Sequence, residues 1–243
     1  MKAKRILDIV FAGTALVPAV PVLAAACAAI YAYDRRNPVY SATRVGWNGV
    51  IFRMYKLRSM VVDADKSSVD TAGNDDPRVT PPGRFLRRWK FDELPQLWNV
   101  LRGDMSLVGP RPQIEREVNL YTDVERGLLA VRPGITDFSS IVFSDLAGIA
   151  GAHPDPDIAY GQLVRPWKSR LGLFYIAHMS IMLDLALVLL TAVAFVSRQS
   201  ARRGVALLLS CYNTPPEMIE VCLRRSTLLP TPPPGSTQVV ASR

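Results

Sequence analysis

Apolar and polar positions divide the chain into unlike stretches. From Ile6 to Tyr33 the residues are apolar almost without interruption; Asp8 is the only charge, and KAKR and DRR flank the run. At about 1.5 Å per residue a straight helix of this length exceeds the roughly 30 Å of a hydrocarbon core. Pro18 and Pro21 fall in its middle, where each removes a backbone donor, so a kink or break is expected there. VYSATRVGWNGVIFRMYKL then alternates with period two around Asn48-Gly49, a pair that tolerates positive φ, and predicts a β-hairpin. GRFLRRWK sets Phe85, Leu86 and Trp89 against a basic face, a short amphipathic helix suited to anionic lipid or to capping a core. Leu94, Leu97, Trp98 and Leu101 recur at helical spacing, with Asp92 as the expected N-cap and Pro95 in the first turn. Residues 113–121 and 124–131 read as helical, and RPGIT as a turn. Residues 171–196 form a second apolar helix interrupted by His178 and Asp184. Its uncharged part, residues 185–196, is too short to span, so a surface-lying or core helix is expected.

This pattern predicts an α+β, mainly helical protein with three parts. They are a membrane segment over residues 1–36, a domain over 37–200 and a tail over 201–243. The tail's LLPTPPPGSTQ stretch has the composition of a disordered end. A signal peptide is a poor reading of the first segment, which is too long and lacks a small-residue cleavage site. Its similar positive flanks favour a re-entrant helix-break-helix over a kinked span, because positive charge marks the cytoplasmic side. Both topologies remain open on this evidence.

Charge sharpens the membrane reading. The 243 residues carry a net charge of +8, and residues 1–60 hold nine Lys and Arg against two Asp. A basic surplus bracketing an apolar segment points to an anionic membrane surface. Nucleic acid is not the expected partner, since no interleaved aromatic and basic strand is present to stack bases. Cys27, Cys211 and Cys222 are too few and too irregularly spaced for a disulfide framework or a zinc site. His153 and His178 lack HExxH spacing, and GxGxxG, Walker and GxSxG motifs are missing.

Candidate chemistry concentrates in FDELPQLWNVLRGDMSLVGPRP, residues 91–112. A carboxylate at a helix start is favoured in its ionised form, whereas two adjacent carboxylates oppose double ionisation unless a cation compensates. Mg²⁺ would do so through one or two carboxylates while keeping positions for phosphate oxygens. Arg111, held between Pro110 and Pro112, presents a stiffened guanidinium fork that suits phosphate. Phosphoryl transfer with an aspartyl intermediate is one chemistry such a set supports.

The ordered motifs YKLRSM, DPRVTPPGRFLRR, the 91–112 stretch, RPGIT and MLDLALVL resemble the bacterial sugar transferase family, the monotopic polyprenyl-phosphate phosphoglycosyl transferases, over residues 4 to 197. The resemblance implies transfer of a sugar phosphate from a UDP-sugar to undecaprenyl phosphate with release of UMP, as the first membrane step of surface glycan synthesis. It implies Asp92 as nucleophile and Glu93 as its acidic partner, the pair associated with Mg²⁺. Lys56, Arg87 and Arg111 match residues assigned to phosphate contacts, and Pro18 matches the helix-breaking proline, with Pro21 as a second. The implied location is the bacterial inner membrane with the catalytic face cytoplasmic. Its partners would be the UDP-sugar, undecaprenyl phosphate and membrane lipid; a homodimer is compatible with this. Two departures stand out: Val17 replaces the usual Ser before the proline, and DFSSIVFSDLAG follows RPGIT in place of a glycine and then a glutamine- and asparagine-rich segment. Rival readings are a catalytically silent membrane scaffold for glycan assembly and a single-span anchor carrying a soluble binding domain.

Overall fold

A computed structural model describes residues 2–64, 76–151, 153–225 and 227–240. Much of the polar stretch between Asp63 and Arg78 lies outside the described residues. The chain is mainly helical. Helix α1 covers Lys2–Asp34, and the predicted hairpin follows as β1 (Val39–Val45) and β2 (Ile51–Leu57), antiparallel with Ala42 opposite Met54. The two strands turn through a 3-10 segment, Trp47–Gly49, where Asn48 and Gly49 have φ of 54° and 78°. That is the left-handed backbone expected of Asn-Gly.

Next come α2 (Pro81–Arg88), a 3-10 turn (Phe91–Glu93), α3 (Gln96–Arg102) and β3 (Ser106–Val108). Helix α4 (Glu115–Asn119) and a second 3-10 turn (Glu125–Ala130) lead into β4 (Gly134–Thr136), which pairs in parallel with β3. RPGIT is thus part of a two-stranded sheet rather than only a turn. Helices α5 (Phe138–Val142), α6 (Leu146–Gly151) and α7 (Pro156–Ala159) precede a π-helical turn, Tyr160–Val164, that continues into α8 (Arg165–Ala177). Helices α9 (Ile181–Val196), α10 (Arg198–Ser210) and α11 (Pro216–Leu223) follow.

The expected interruption at His178 is real. Helix α8 ends there, and Ser180 starts α9 by accepting a hydrogen bond from the Leu183 amide. Asp184 does not interrupt anything: it lies in the first turn of α9, where a carboxylate suits the helix dipole. At 16 residues α9 is too short to span a bilayer. Leu183 and Leu187 face the core, while Met182, Leu189 and Val196 are exposed.

Helix α1 runs through Pro18 and Pro21 without ending, although each proline removes a helical hydrogen bond. Packing supplies the compensation. Asp8, Ala12, Ala19, Ala26 and Ile30 form one buried stripe along the whole helix. Ala12 and Ala19 meet Ala42, Met54, Leu97, Val100 and Met105, and farther along Ala26 and Ile30 meet Leu57 and Leu86. Both ends are tied to the body as well. Lys4 reaches Asp184 at 2.6 Å, Arg5 donates to the carbonyls of Val100 and Leu101, and Asp34 accepts two bonds from Arg58. The remaining faces of α1 are apolar and open, with Ile6, Val10, Val17 and Val20 all exposed. Among the described residues α1 is the one helix long and apolar enough to cross a membrane.

The largest core gathers Phe138, Ile141, Leu171, Tyr175, Leu187, Val205, Leu209 and Cys222. Helices α10 and α11 are therefore integral to it, and the packing does not change character at residue 200. The proline-rich end has irregular backbone, yet its described residues do not hang free as composition alone would have them. The Gln162 carbonyl accepts from the Thr231 amide, the Gln162 side chain donates to the Val240 carbonyl at 2.7 Å, and Arg170 donates to that of Pro232 at 2.9 Å. Proline lowers the entropy lost on fixing such a strap.

Candidate active site

Four of the predicted residues converge from three segments. Lys56 comes from β2, Asp92 and Glu93 from the 3-10 turn after α2, and Arg111 from the loop after β3. Lys90, in the left-handed region at φ 58°, starts the turn that carries the acids. The Glu93 amide closes on the Lys90 carbonyl, and the Leu94 amide on that of Phe91. The sequence expectation that Asp92 caps the following helix is corrected here. Pro95 occupies the N-cap of α3, and Asp92 makes no capping bond. Proline has no amide to give, so the chain takes tight turns before a regular helix begins.

Three devices hold this geometry. Asn99, fully buried on α3, accepts from the Tyr55 amide at 3.0 Å and donates to the Arg53 carbonyl at 2.7 Å and to Asp104 at 3.0 Å. It fastens the helix after the acids to the strand that carries Lys56. Gly109 and Gly134 hold the second position by close approach: a Cβ on Gly134 would stand 2.1 Å from the Gly109 nitrogen. Only two glycines let these backbones meet, and their contact aims the Pro110–Pro112 loop. The third device is Asp8 of α1, which accepts from Ser106 Oγ at 2.8 Å and from the Leu107 amide at 3.1 Å. It pins β3, the strand leading to Arg111.

The two acids have opposite surroundings. Glu93 Oε1 accepts from Lys56 at 3.2 Å and from Arg111 Nη2, and Arg111 Nη1 lies 3.4 Å from Oε2. Burial works against the charge on Glu93, but Arg111 and then Lys56 overcome it and hold the carboxyl well below its ordinary range. Asp92 is buried to 6% exposure, and its Oδ1 has no hydrogen-bond partner. Burial first, and the neighbouring Glu93 charge second, push its carboxyl up, only partly offset by Lys56, Lys90 and Arg87. The ionised form expected of a helix cap is thus disfavoured at Asp92, whereas the expected conflict between adjacent acids is present. Arg87, in the last turn of α2, acts on Asp92 through space. Burial also lowers Lys56, against the pull of Glu93.

Gln96, Asn99 and Lys168 were not among the sequence candidates. Gln96 is 1% exposed with an unpartnered Nε2, one turn beyond Asp92. An unpaired buried carboxylate oxygen and an unpaired buried amide in one site are the groups a bound ligand would satisfy. For a metal ion, the described residues hold no cluster of three or more His, Cys, Asp or Glu side chains. The set still fits Mg²⁺, which needs only one or two carboxylates when phosphates fill the rest. Asp92 Oδ1 is unbonded, and Glu93 Oε2 has only its long contact with Arg111.

Comparison with known proteins shows what the chain is similar to. The family model described as bacterial sugar transferase matches residues 1–198. A putative undecaprenyl-phosphate N-acetylgalactosaminyl 1-phosphate transferase of Bacillus subtilis is 49% identical over 110 residues, 45% of this chain and 62% of that protein. The undecaprenyl-phosphate galactose phosphotransferase of Salmonella typhimurium is 39% identical over 153 residues, 55% of this chain and 31% of the relative. The exopolysaccharide production protein ExoY of Sinorhizobium fredii is 31% identical over 204 residues, covering 78% of this chain and 83% of its own. This chain spans about a third of the Salmonella relative and somewhat under two thirds of the Bacillus one.

Proposed function

Since the chain belongs to the bacterial sugar transferase family, we propose that it transfers a sugar phosphate from a UDP-sugar to undecaprenyl phosphate in two steps through Asp92, releasing UMP and opening the synthesis of a surface glycan. The observation that carries this reading is the unbonded, buried Asp92 Oδ1 beside a Glu93 whose charge two cations hold. A nucleophile tied up in hydrogen bonds would have to break them to attack; Asp92 has none at that oxygen to break. Burial raises the carboxylate's energy relative to water, so bond formation to phosphorus relieves an unfavourable charge. In the first step Asp92 bonds to the sugar-bearing phosphorus and UMP departs. In the second the lipid phosphate attacks the same phosphorus and Asp92 is regenerated.

Arg111 and Lys56 supply positive charge where phosphate oxygens would sit, and Arg87 adds to it from α2. Glu93 keeps Arg111 and Lys56 together and would, with Asp92, hold Mg²⁺. When bound, that ion would neutralise the diphosphate oxygens.

The membrane arrangement follows from the same reading. Both ends of α1 are bonded to one body and its buried stripe packs on that body throughout, which favours a segment that keeps both ends on one side of the membrane, with Pro18 and Pro21 as its weak points. The site would then face the cytoplasm, beside the inner membrane that holds the lipid substrate.

The test is intact-protein mass spectrometry with a panel of UDP-sugars and Mg²⁺. A covalent sugar-phosphate adduct that maps to Asp92, with UMP released and neither seen in Asp92→Asn, is the expected result. An Asp92→Asn protein that releases UMP like the parent would remove Asp92 as the nucleophile. A parent that releases none with any sugar would favour the scaffold reading.

A further inference from the structure

Arg111 borders two places. Besides meeting Glu93 it lines an open cleft of about 390 Å³ together with Tyr121, Asp137, Tyr160, Arg165 and Lys168. Most of the cleft's charged groups are already engaged. Arg165 donates to Glu125 at 2.8 Å and to the Leu120 carbonyl at 2.6 Å. Asp137 accepts from Ser139 Oγ and from the Ser140 amide, each at 2.7 Å.

Lys168 is the exception. Its ammonium lies 5.0 Å from the centre of the Tyr160 ring, and among the described residues it forms no ion pair. Burial, and after it the Arg111 charge, lowers this lysine to about 8; Asp137 and Glu117 pull the other way, and Lys90 adds to the lowering. Three cations, Arg111, Arg165 and Lys168, share one cleft, and among the described residues Lys168 has no ion-pair partner. Burial holds the Tyr121 and Tyr160 hydroxyls well above their ordinary range, so both stay neutral donors. Glu117 also lines the cleft, yet Arg111, Arg165 and Lys168 outnumber its carboxylate and that of Asp137, and the excess positive charge with the neutral donors suits a phosphate attached to a polar, ring-bearing group.

We infer that this cleft receives the nucleoside monophosphate half of the nucleotide sugar, and that Lys168 neutralises the phosphate that departs; the inference rests on the reading of the preceding section. When an Asp92 oxygen bonds to the sugar-bearing phosphorus, the bond from that phosphorus to the bridging oxygen breaks. The electron pair stays on the bridging oxygen, and the departing nucleoside monophosphate gains one negative charge. Arg111 reaches both the dyad and the cleft, so a diphosphate whose reacting phosphorus faces Asp92 extends its other phosphate toward Lys168. An ammonium there stabilises charge that exists only as the bond breaks. In the second half-reaction the leaving group is the Asp92 carboxylate, and Lys168 has no part in it.

That asymmetry is the test. In full-length protein in nanodiscs, Lys168→Met should slow UMP release in the first half-reaction by roughly 10²-fold. Discharge of adduct already formed to undecaprenyl phosphate should keep the parental rate, and UMP should bind more weakly by calorimetry. Lys168→Gln is the second variant, with the same expected pattern if the methionine protein does not fold. Equal slowing of both half-reactions, or an unchanged affinity for UMP, overturns the assignment. Failure of the underlying reaction looks different. A parent that forms no adduct but loses UMP affinity on Lys168→Met would keep the cleft and discard the transfer; adduct formation with UMP affinity unmoved would do the reverse.

Discussion

Asp92 and Glu93 are neighbours in the chain and opposites in electrostatics, and two variants should separate them. Asp92 titrates above its ordinary 3.8, so ionising it costs stability as pH rises through the raised value. Asp92→Asn should therefore match the parent's stability at low pH and exceed it at neutral pH, while losing turnover. Thermal melts across pH would read this. Glu93 behaves in the opposite way: its carboxyl lies below the ordinary 4.5, so its stabilisation is present above that value and is lost as pH falls through the depressed one. Glu93→Gln should cost about 2 kcal/mol at pH 7 and little in acid, because Arg111 and Lys56 lose their shared anion. Parallel urea titrations at the two pH values would check it. The acids and Arg111 were legible in sequence from residue type and order, and Lys56 only through the resemblance to the sugar transferase family. Asn99 and Lys168 were not, since an asparagine in a helix and a lysine among aromatics look ordinary until their neighbours from distant segments are known.

At the level of elements, the alternating hairpin was readable because seven-residue strands display a period, and Asn-Gly marks the turn. Strands β3 and β4 have three residues each, too few for any period, and only their paired glycines betray them. Gly134→Ala should push the two loops apart and lower turnover by at least 10-fold, on the order expected for a catalytic group displaced by about 1 Å. Gly13→Ala is the control: a Cβ there meets nothing within 4 Å and should leave turnover unchanged. A steady-state comparison of the two suffices. The prolines of α1 predicted an interruption that the packed alanine stripe overrides, since local propensity yields to tertiary contact. The strap over 227–240 was hidden for a similar reason: its composition describes a chain with nothing to bind, and its bonds to Gln162 and Arg170 are not local.

Across the whole molecule, exposed apolar side chains gather on α1 and α9, which Lys4 and Asp184 join, and on α2, where Phe85 and Trp89 stand among Arg84 and Arg88. This surface and the basic first quarter of the chain predict binding to anionic bilayers. Phe85→Glu with Trp89→Glu should weaken flotation with phosphatidylglycerol vesicles severalfold, more at low salt than at high, since the lost apolar contact is then joined by unscreened repulsion between the new carboxylates and the anionic headgroups. Single cysteines at positions 3 and 37 should both react with reagent from one side of the membrane; labelling from opposite sides would mean that α1 crosses.

The bond from Asp8 to Ser106 and Leu107 has a mechanical consequence. If α1 lies in a bilayer as proposed, one of its residues holds the strand whose next loop aims Arg111, and any tilt that a thicker or thinner bilayer imposes on α1 would be delivered to the proposed reaction centre as a displacement. Turnover measured in lipids of increasing acyl length should pass through an optimum, and Asp8→Asn, with its grip on β3 slackened, should flatten that curve. On the proposed topology the bilayer would be a gauge as well as a solvent, its thickness registered at the phosphate the site is proposed to bind.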